Sequence, residues 1–155
     1  MSDHIAKQIH DLPTSARDLC HLFLGERIGS GMSRTVYAHG ADPSLVVKHE
    51  SGGGSFQNVL EWTVWEAVKD SPMARWFAPC VSISPNGLFL VQKRATFPPR
   101  DEYPEKVPAF FTDLKYGNFG RIDGQFVCVD YGTFNLVRNS FTAAFRKARW
   151  WSEKD

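Results

Sequence analysis

Asp113-Leu114-Lys115-Tyr116-Gly117-Asn118, followed by Asp130-Tyr131-Gly132, is the stretch on which the reading of this chain turns. Between the two motifs, residues 119–122 and 125–129 read as strands of a hairpin turned at Asp123-Gly124. An Asp-Gly pair between alternating apolar runs is a strong hairpin signal, because both residues tolerate the positive φ of a tight turn. Whatever Asp113, Lys115 and Asn118 do is therefore expected to happen near Asp130.

Upstream, residues 26–28 lead into Gly29-Ser30-Gly31-Met32-Ser33-Arg34-Thr35-Val36 and a returning strand over 35–38. Asp42-Pro43 marks a turn, and residues 45–48, ending Val46-Val47-Lys48, read as a third strand. A short Gly/Ser connector over 51–55 precedes a helix predicted over 57–70, with Leu60, Val64, Trp65 and Val68 on one side. Glu61 shares that apolar face, whereas Glu66 lies among Trp62, Lys69 and Asp70 on a wetter one. Ser71-Pro72 breaks the helix. Strands at 81–83 and 88–92 are joined by Ser84-Pro85-Asn86-Gly87, and residues 97–108 read as a proline-rich linker. At the start, Ile5, Ile9 and Leu12 predict one short helix ended by Pro13. Ala16, Leu19, Cys20 and Phe23 predict another, capped by Thr14 or Ser15. At the end, Val137, Phe141, Ala144, Phe145, Ala148 and Trp151 recur at helical spacing. They predict an amphipathic helix bearing a basic stripe of Arg138, Arg146 and Arg149 beside Thr142.

Composition bounds what such a chain can be. With 155 residues there is room for about one domain. Hydrophobic residues at 43% and charged residues at 23% are those of a globular protein, not a disordered one. Eighteen basic against 17 acidic side chains leave a net charge of +1, too little for a nucleic-acid coat. No apolar run approaches the ~20 residues of a membrane span, and residues 1–7 lack the apolar core of a signal peptide. Cys20, Cys80 and Cys128 stand apart with no CxxC, which fits a reduced, cytoplasmic setting. The five histidines form no zinc motif.

Taken in order, these motifs resemble the protein-kinase-like superfamily. Gly29 to Val36 is similar to the kinase glycine-rich loop, with Arg34 where the third glycine belongs; Val46-Val47-Lys48 resembles VAIK; Asp113 to Asn118 reproduces D-L-K-x-x-N; and Asp130-Tyr131-Gly132 resembles DFG. The resemblance implies an α+β fold: a kinase-like N-lobe of twisted antiparallel sheet and one helix, a catalytic hairpin, and a strongly reduced helical C-lobe. It implies an N-terminal helical segment over 1–24 and one minimal domain over 25–155, divided into 25–96, a linker at 97–110, and 111–155. It implies ATP and Mg2+. Gly29, Ser30, Gly31 and Val36 would cover the phosphates, Lys48 would hold them, and Glu61, with Glu66 in reserve, would pair with that lysine. Gln92 would lie near the gatekeeper position, and Lys93 to Ala95 would meet adenine through the backbone. Asp113 would be the base, Lys115 a γ-phosphate contact, and Asn118 and Asp130 the metal ligands.

The chain departs from that family in its second half. Only residues 95–112 separate Arg94 from Asp113, Phe111-Thr112 replaces the usual His-Arg, and residues 133–155 hold no APE motif and no peptide-docking lobe. The expected function is an ATP- and Mg2+-dependent phosphotransferase acting on a protein serine or threonine, its own chain included. The alternative is a catalytically weak or inactive kinase-fold module that captures or inhibits a partner protein, of a size that suits a small bacterial or phage effector. A small-molecule kinase is a third reading, but such enzymes carry helical inserts that this chain lacks. A homodimer in which a second copy completes the missing wall, with Trp150 and Trp151 at the contact, also follows from the reduction.

Overall fold

Strand pairing follows the turn signals. In the computed structural model, which describes residues 13–51, 54–136 and 141–152, nine strands and two α-helices are seen. The chain is α+β. It divides into two units: the described residues of 1–58 with 80–94, and those of 59–79 with 95–155.

The first unit opens with helix α1 (Thr14–Phe23), which starts after Pro13 without a side-chain cap. Five antiparallel strands follow: β1 (Leu24–Ser30), β2 (Arg34–His39), β3 (Leu45–Glu50), β4 (Cys80–Ile83) and β5 (Phe89–Lys93), in the order β1-β2-β3-β5-β4. The pleat sorts their side chains into two faces. Tyr37, Val47 and Val91 lie in register across β2, β3 and β5. With Leu24 they form the apolar cluster against which Cys20 and Phe23 of α1 pack. Full burial of such side chains stabilises by about 1.5–3 kcal/mol each. The next row, on the opposite face, runs Gly29, Val36, Lys48, Leu90. Gly40 makes the return from α1 possible, because a Cβ there would drive into the carbonyl oxygens of His21 and Leu22. Leu19 and Leu22 on the outer side of α1 are exposed.

Helix α2 (Gln57–Val68) begins in the first unit and continues in the second. Its buried positions are Asn58, Glu61, Val64 and Val68. Leu60, expected on that face, is 46% exposed. Two polar side chains occupy the inner stripe, so the buried face is turned by part of a turn from the one that the apolar residues alone predict.

The second unit is built from rings more than from regular structure. Phe77 packs edge-on or tilted against Phe111, Tyr131, Phe134 and Phe141, with centroids 5.0–6.3 Å away. A second group joins Tyr103, Tyr116, Phe119 and Phe126 around Trp150. Its regular elements are short: β6 (Lys106–Pro108), β7 (Phe119–Ile122), β8 (Gln125–Cys128) and β9 (Phe145–Lys147). The β7–β8 turn has Asp123 at φ 50° and Gly124 at φ 78°, as a two-residue hairpin of this twist requires.

Two expectations fail here. The described part of the predicted C-terminal helix is extended: β9 pairs antiparallel with β6, and flanking bonds join Ala109 N–H to Ala144 O and Ala148 N–H to Glu105 O. Residues 137–140, Arg138 among them, lie outside the described residues. The basic stripe therefore does not form as predicted; Arg146 instead donates to the Phe111 carbonyl. Residues 97–108 are likewise more than a linker, since they hold a 3-10 turn at Arg100–Glu102 and strand β6. The helical spacing lost because these aromatic side chains find separate ring partners in an extended segment, while the backbone bonds go to residues 105–109 and 114–116.

Candidate functional site

The hairpin positions the candidate site residues of the second unit. Phe119 faces Cys128 in the β7–β8 register, and Val129 N–H donates to Asn118 O at 2.8 Å. Asn118 thus ends one arm and Asp130 starts beyond the other. A 3-10 turn over Tyr116–Asn118 closes the loop from Asp113, and Asn118 Nδ2 donates to Asp113 Oδ2 at 2.9 Å. Asp113, Asp130 and Thr133 line one recess together with Phe111 and Cys128. Both aspartates are exposed. The loop is held from behind. Leu114 is buried, and the Tyr103 hydroxyl is shared between the carbonyls of Tyr116 and Phe119, each 3.0 Å away. Burial pushes the Tyr103 phenol above its usual range, with Tyr116 adding to it.

The C-terminal segment pairs with the same loop. Trp151 N–H donates to Leu114 O, Tyr116 N–H donates to Trp151 O, and the Lys115 ammonium lies 5.8 Å over the Trp151 ring. Trp150 packs on its own unit and donates from Nε1 to Pro104 O.

Glu61 and Glu66 are separated by environment. Glu61 is fully buried, and its Oε2 accepts the Tyr131 N–H at 3.2 Å. Glu66 is exposed and pairs with Lys69. Tyr131 is held twice, since its hydroxyl donates to Ala78 O at 2.6 Å. The segment after Asp130 is thereby fastened to α2 within the second unit.

In the first unit, Gly29, Val36 and Lys48 share one cross-strand row, and Gln92, by pleat parity, shares its face. Lys48 is 4% exposed. Gln92 is buried and donates to Cys80 Sγ at 3.9 Å. Gly29 and Gly31 have neither a positive φ nor any atom within 4 Å of where a Cβ would stand. Neither turn geometry nor packing demands glycine there, and open space lies over both. Ser30 accepts a bond from Arg27. Lys93 is exposed at the end of β5, on the parity opposite to Gln92. Arg94 N–H bonds Ser44 O, and the division between the units falls between Arg94 and Ala95. In the second unit Ala95 sits beside Gly120, where a Cβ would meet it at 2.9 Å.

Arg34 does not stand free in the glycine loop. It is buried, and Nη1 donates to Asn58 Oδ1 at 3.3 Å. Asn58 Nδ2 shares its two hydrogens among the carbonyls of Lys48, Gly87 and Leu88. Glu50 accepts from Ser55 Oγ and from the first N–H groups of α2, at Gln57 and Asn58. A carboxylate at a helix N-terminus is favoured by the helix dipole. Burial pushes the Glu50 carboxyl up, but the bonds from Ser55, Asn58 and Gln57 and the Arg34 charge outweigh it and hold the carboxyl below its usual range. No local signal announces this network, because Glu50 and Asn58 are joined across a connector and Arg34 comes from another strand.

Among the described residues, no group of three or more His, Cys, Asp or Glu could hold a metal ion, and no helix is long and apolar enough to cross a membrane. Neither models of known protein families nor curated proteins match this chain.

Proposed function

We propose that the chain is a small ATP- and Mg2+-dependent phosphotransferase of kinase-like layout that acts on a protein serine or threonine hydroxyl. The observation that carries this reading is the β7–β8 hairpin, whose two ends bear Asp113 bonded to Asn118 on one side and Asp130 on the other. Asn118 spends its amide donor on Asp113, which leaves the carbonyl oxygen as its acceptor end. That oxygen and the Asp130 carboxylate are the groups that would hold Mg2+. A cation arriving with phosphates needs only one or two protein carboxylates, so a three-acid cluster is not required. Bound there, Mg2+ supplies neutralisation of phosphate charge. Asp113, oriented by Asn118, accepts the proton of the attacking hydroxyl. Gly29 and Gly31 leave room for phosphate oxygens to approach the backbone, Val36 offers an apolar contact, and Lys48 contributes a buried positive charge. Glu61 acts on this reading by bracing the segment that follows Asp130.

Calorimetric titration of the purified chain with MgATP, beside Asp130→Ala, tests the reading, with circular dichroism confirming that both are folded. Saturable binding that weakens in the variant is expected, with phosphate transfer falling about 10²–10³-fold, the scale of losing one transition-state stabiliser. A folded wild type that binds no MgATP overturns it.

One observation favours the second reading, a kinase-fold module that captures a partner protein. The Lys115 ammonium, the expected γ-phosphate contact, is stacked on Trp151. Trp151→Ala separates the readings: a catalytic chain gains or keeps transfer when the Lys115–Trp151 contact is lost, whereas a capture module shows none in either form.

A further inference from the structure

We infer that Thr133 is the hydroxyl that this chain phosphorylates on itself, within one molecule; the inference rests on the phosphotransferase reading and names its acceptor. Thr133 is exposed and lines the same recess as Asp113 and Asp130. It occupies a tight turn, closed by Phe134 N–H donating to Tyr131 O at 2.9 Å. Both ends of that turn are anchored. Tyr131 is buried, with its N–H on Glu61 and its hydroxyl on Ala78 O. Phe134 packs its ring edge-on against Phe77 and Phe110, at 5.6 and 5.9 Å. A hydroxyl carried between two fixed residues, in a recess also lined by a carboxylate that Asn118 orients, has little orientational freedom left to lose. Holding reactants in this way is a main source of rate in group transfer.

In the transfer, the bond between the terminal phosphorus of a nucleoside triphosphate and its bridging oxygen breaks, and that electron pair leaves with the diphosphate. The Thr133 Oγ1–phosphorus bond forms, and the hydroxyl proton passes to Asp113. Thr112 is the other aliphatic hydroxyl among the residues lining the recess, adjacent in the chain to the base; the Tyr131 hydroxyl is engaged with Ala78 O. It is the internal competitor.

Site mapping, a concentration series and a binding readout together test this. Wild type, Thr133→Ser, Thr133→Ala and Thr112→Ala are incubated with labelled MgATP, and phosphopeptides are mapped by mass spectrometry. The expected result is one phosphoryl group on residue 133 in wild type, Thr133→Ser and Thr112→Ala. Its initial rate per molecule is unchanged across a hundredfold range of protein concentration, and label falls at least tenfold in Thr133→Ala. Independently of turnover, the Thr133 methyl resonance shifts on adding Mg2+ with a non-hydrolysable ATP analogue, and does not shift in Asp130→Ala. Label on Thr112 or elsewhere, or a per-molecule rate that rises with protein concentration, overturns the inference. So does MgATP binding without label on the chain, which leaves the phosphotransferase reading standing. Absence of MgATP binding overturns both.

Discussion

The sheet unit and the aromatic unit bury their interiors by different means. In the first, backbone ladders set the spacing, and side chains fall into rows such as Tyr37, Val47 and Val91 that share one face. In the second, strands of three or four residues contribute little ladder, and the interior is a set of rings meeting edge to face around Phe77 and Trp150. Such ring contacts add about 0.5–1.5 kcal/mol beyond the area they bury. The difference matters for how each unit presents its side chains. A ladder suits a row of residues that must point the same way, as Gly29, Val36 and Lys48 do. Ring packing suits irregular loops that must be held from one side only, as the Asp113–Asn118 loop is.

The contrast is most exposed to Phe77→Ala. The Phe77 ring touches five others. Its removal is expected to cost about 3–5 kcal/mol. Hydrogen exchange should show protection lost throughout residues 107–134; retained protection there would mean that the short ladders, not the rings, hold this unit. Asn58→Ala comes next. It strips the carbonyls of Lys48, Gly87 and Leu88 of their shared donor and Arg34 of an acceptor. Leu88 O keeps the Glu50 N–H, so the loss falls on fewer groups than the bonds removed. A buried group left unsatisfied costs about 1–3 kcal/mol, and a loss of about 2 kcal/mol in denaturant unfolding is expected.

The two units should also differ in pH response. Burial holds the His49 imidazole below its usual 6.5, despite the nearby Glu50 charge. Glu50 itself is held below 4.5. In both cases the unfolded chain binds protons more readily than the folded one. Stability of the first unit is therefore full above pH 6.5 and falls on acidification, with a further loss below pH 4.5. Tyr103 has the opposite sign: its phenol is held above 10.0, so its contribution is present below that pH and lost as pH rises through the folded value. Exchange measured residue by residue from about pH 4 to about pH 10.5 should show the first unit loosening at the acid end and the second at the alkaline end. The smallest effect runs the other way. Among the described residues the buried Tyr37 hydroxyl finds no hydrogen-bond partner. Tyr37→Phe is expected to raise stability by about 1 kcal/mol, read as a higher melting temperature.

Much of the first unit was legible because its turns are spelled in residues with a conformational reason to be there, Asp42-Pro43 and Ser84-Pro85-Asn86-Gly87 among them. The β7–β8 hairpin was legible for the same reason, and with it the nearness of Asn118 to the segment beginning at Asp130. What sequence periodicity missed was the burial of Asn58 and distant pairing. Spacing alone puts Glu61 on the inner face of α2, where it is buried; Asn58 joins it there because it has partners, and an apolar count cannot see partners. Pairing of β6 with β9 joins segments about forty residues apart through three residues each, one of them proline, and leaves no local trace. Arg34 looked like a residue out of place in a glycine loop; its bond to Asn58 gives it a structural task that only the fold could disclose.

The open space over Gly29 and Gly31 carries a consequence for how selection acts on this chain. Where a side chain would meet nothing and the backbone needs no unusual φ, folding places no demand on the identity of the residue. A library of variants sorted for abundance alone would therefore score alanine or serine at both positions as silent. On the proposed phosphotransferase reading, the same library sorted for retention on immobilised nucleotide would not. A gap between those two maps, position by position, would support that reading, and its absence would count against it.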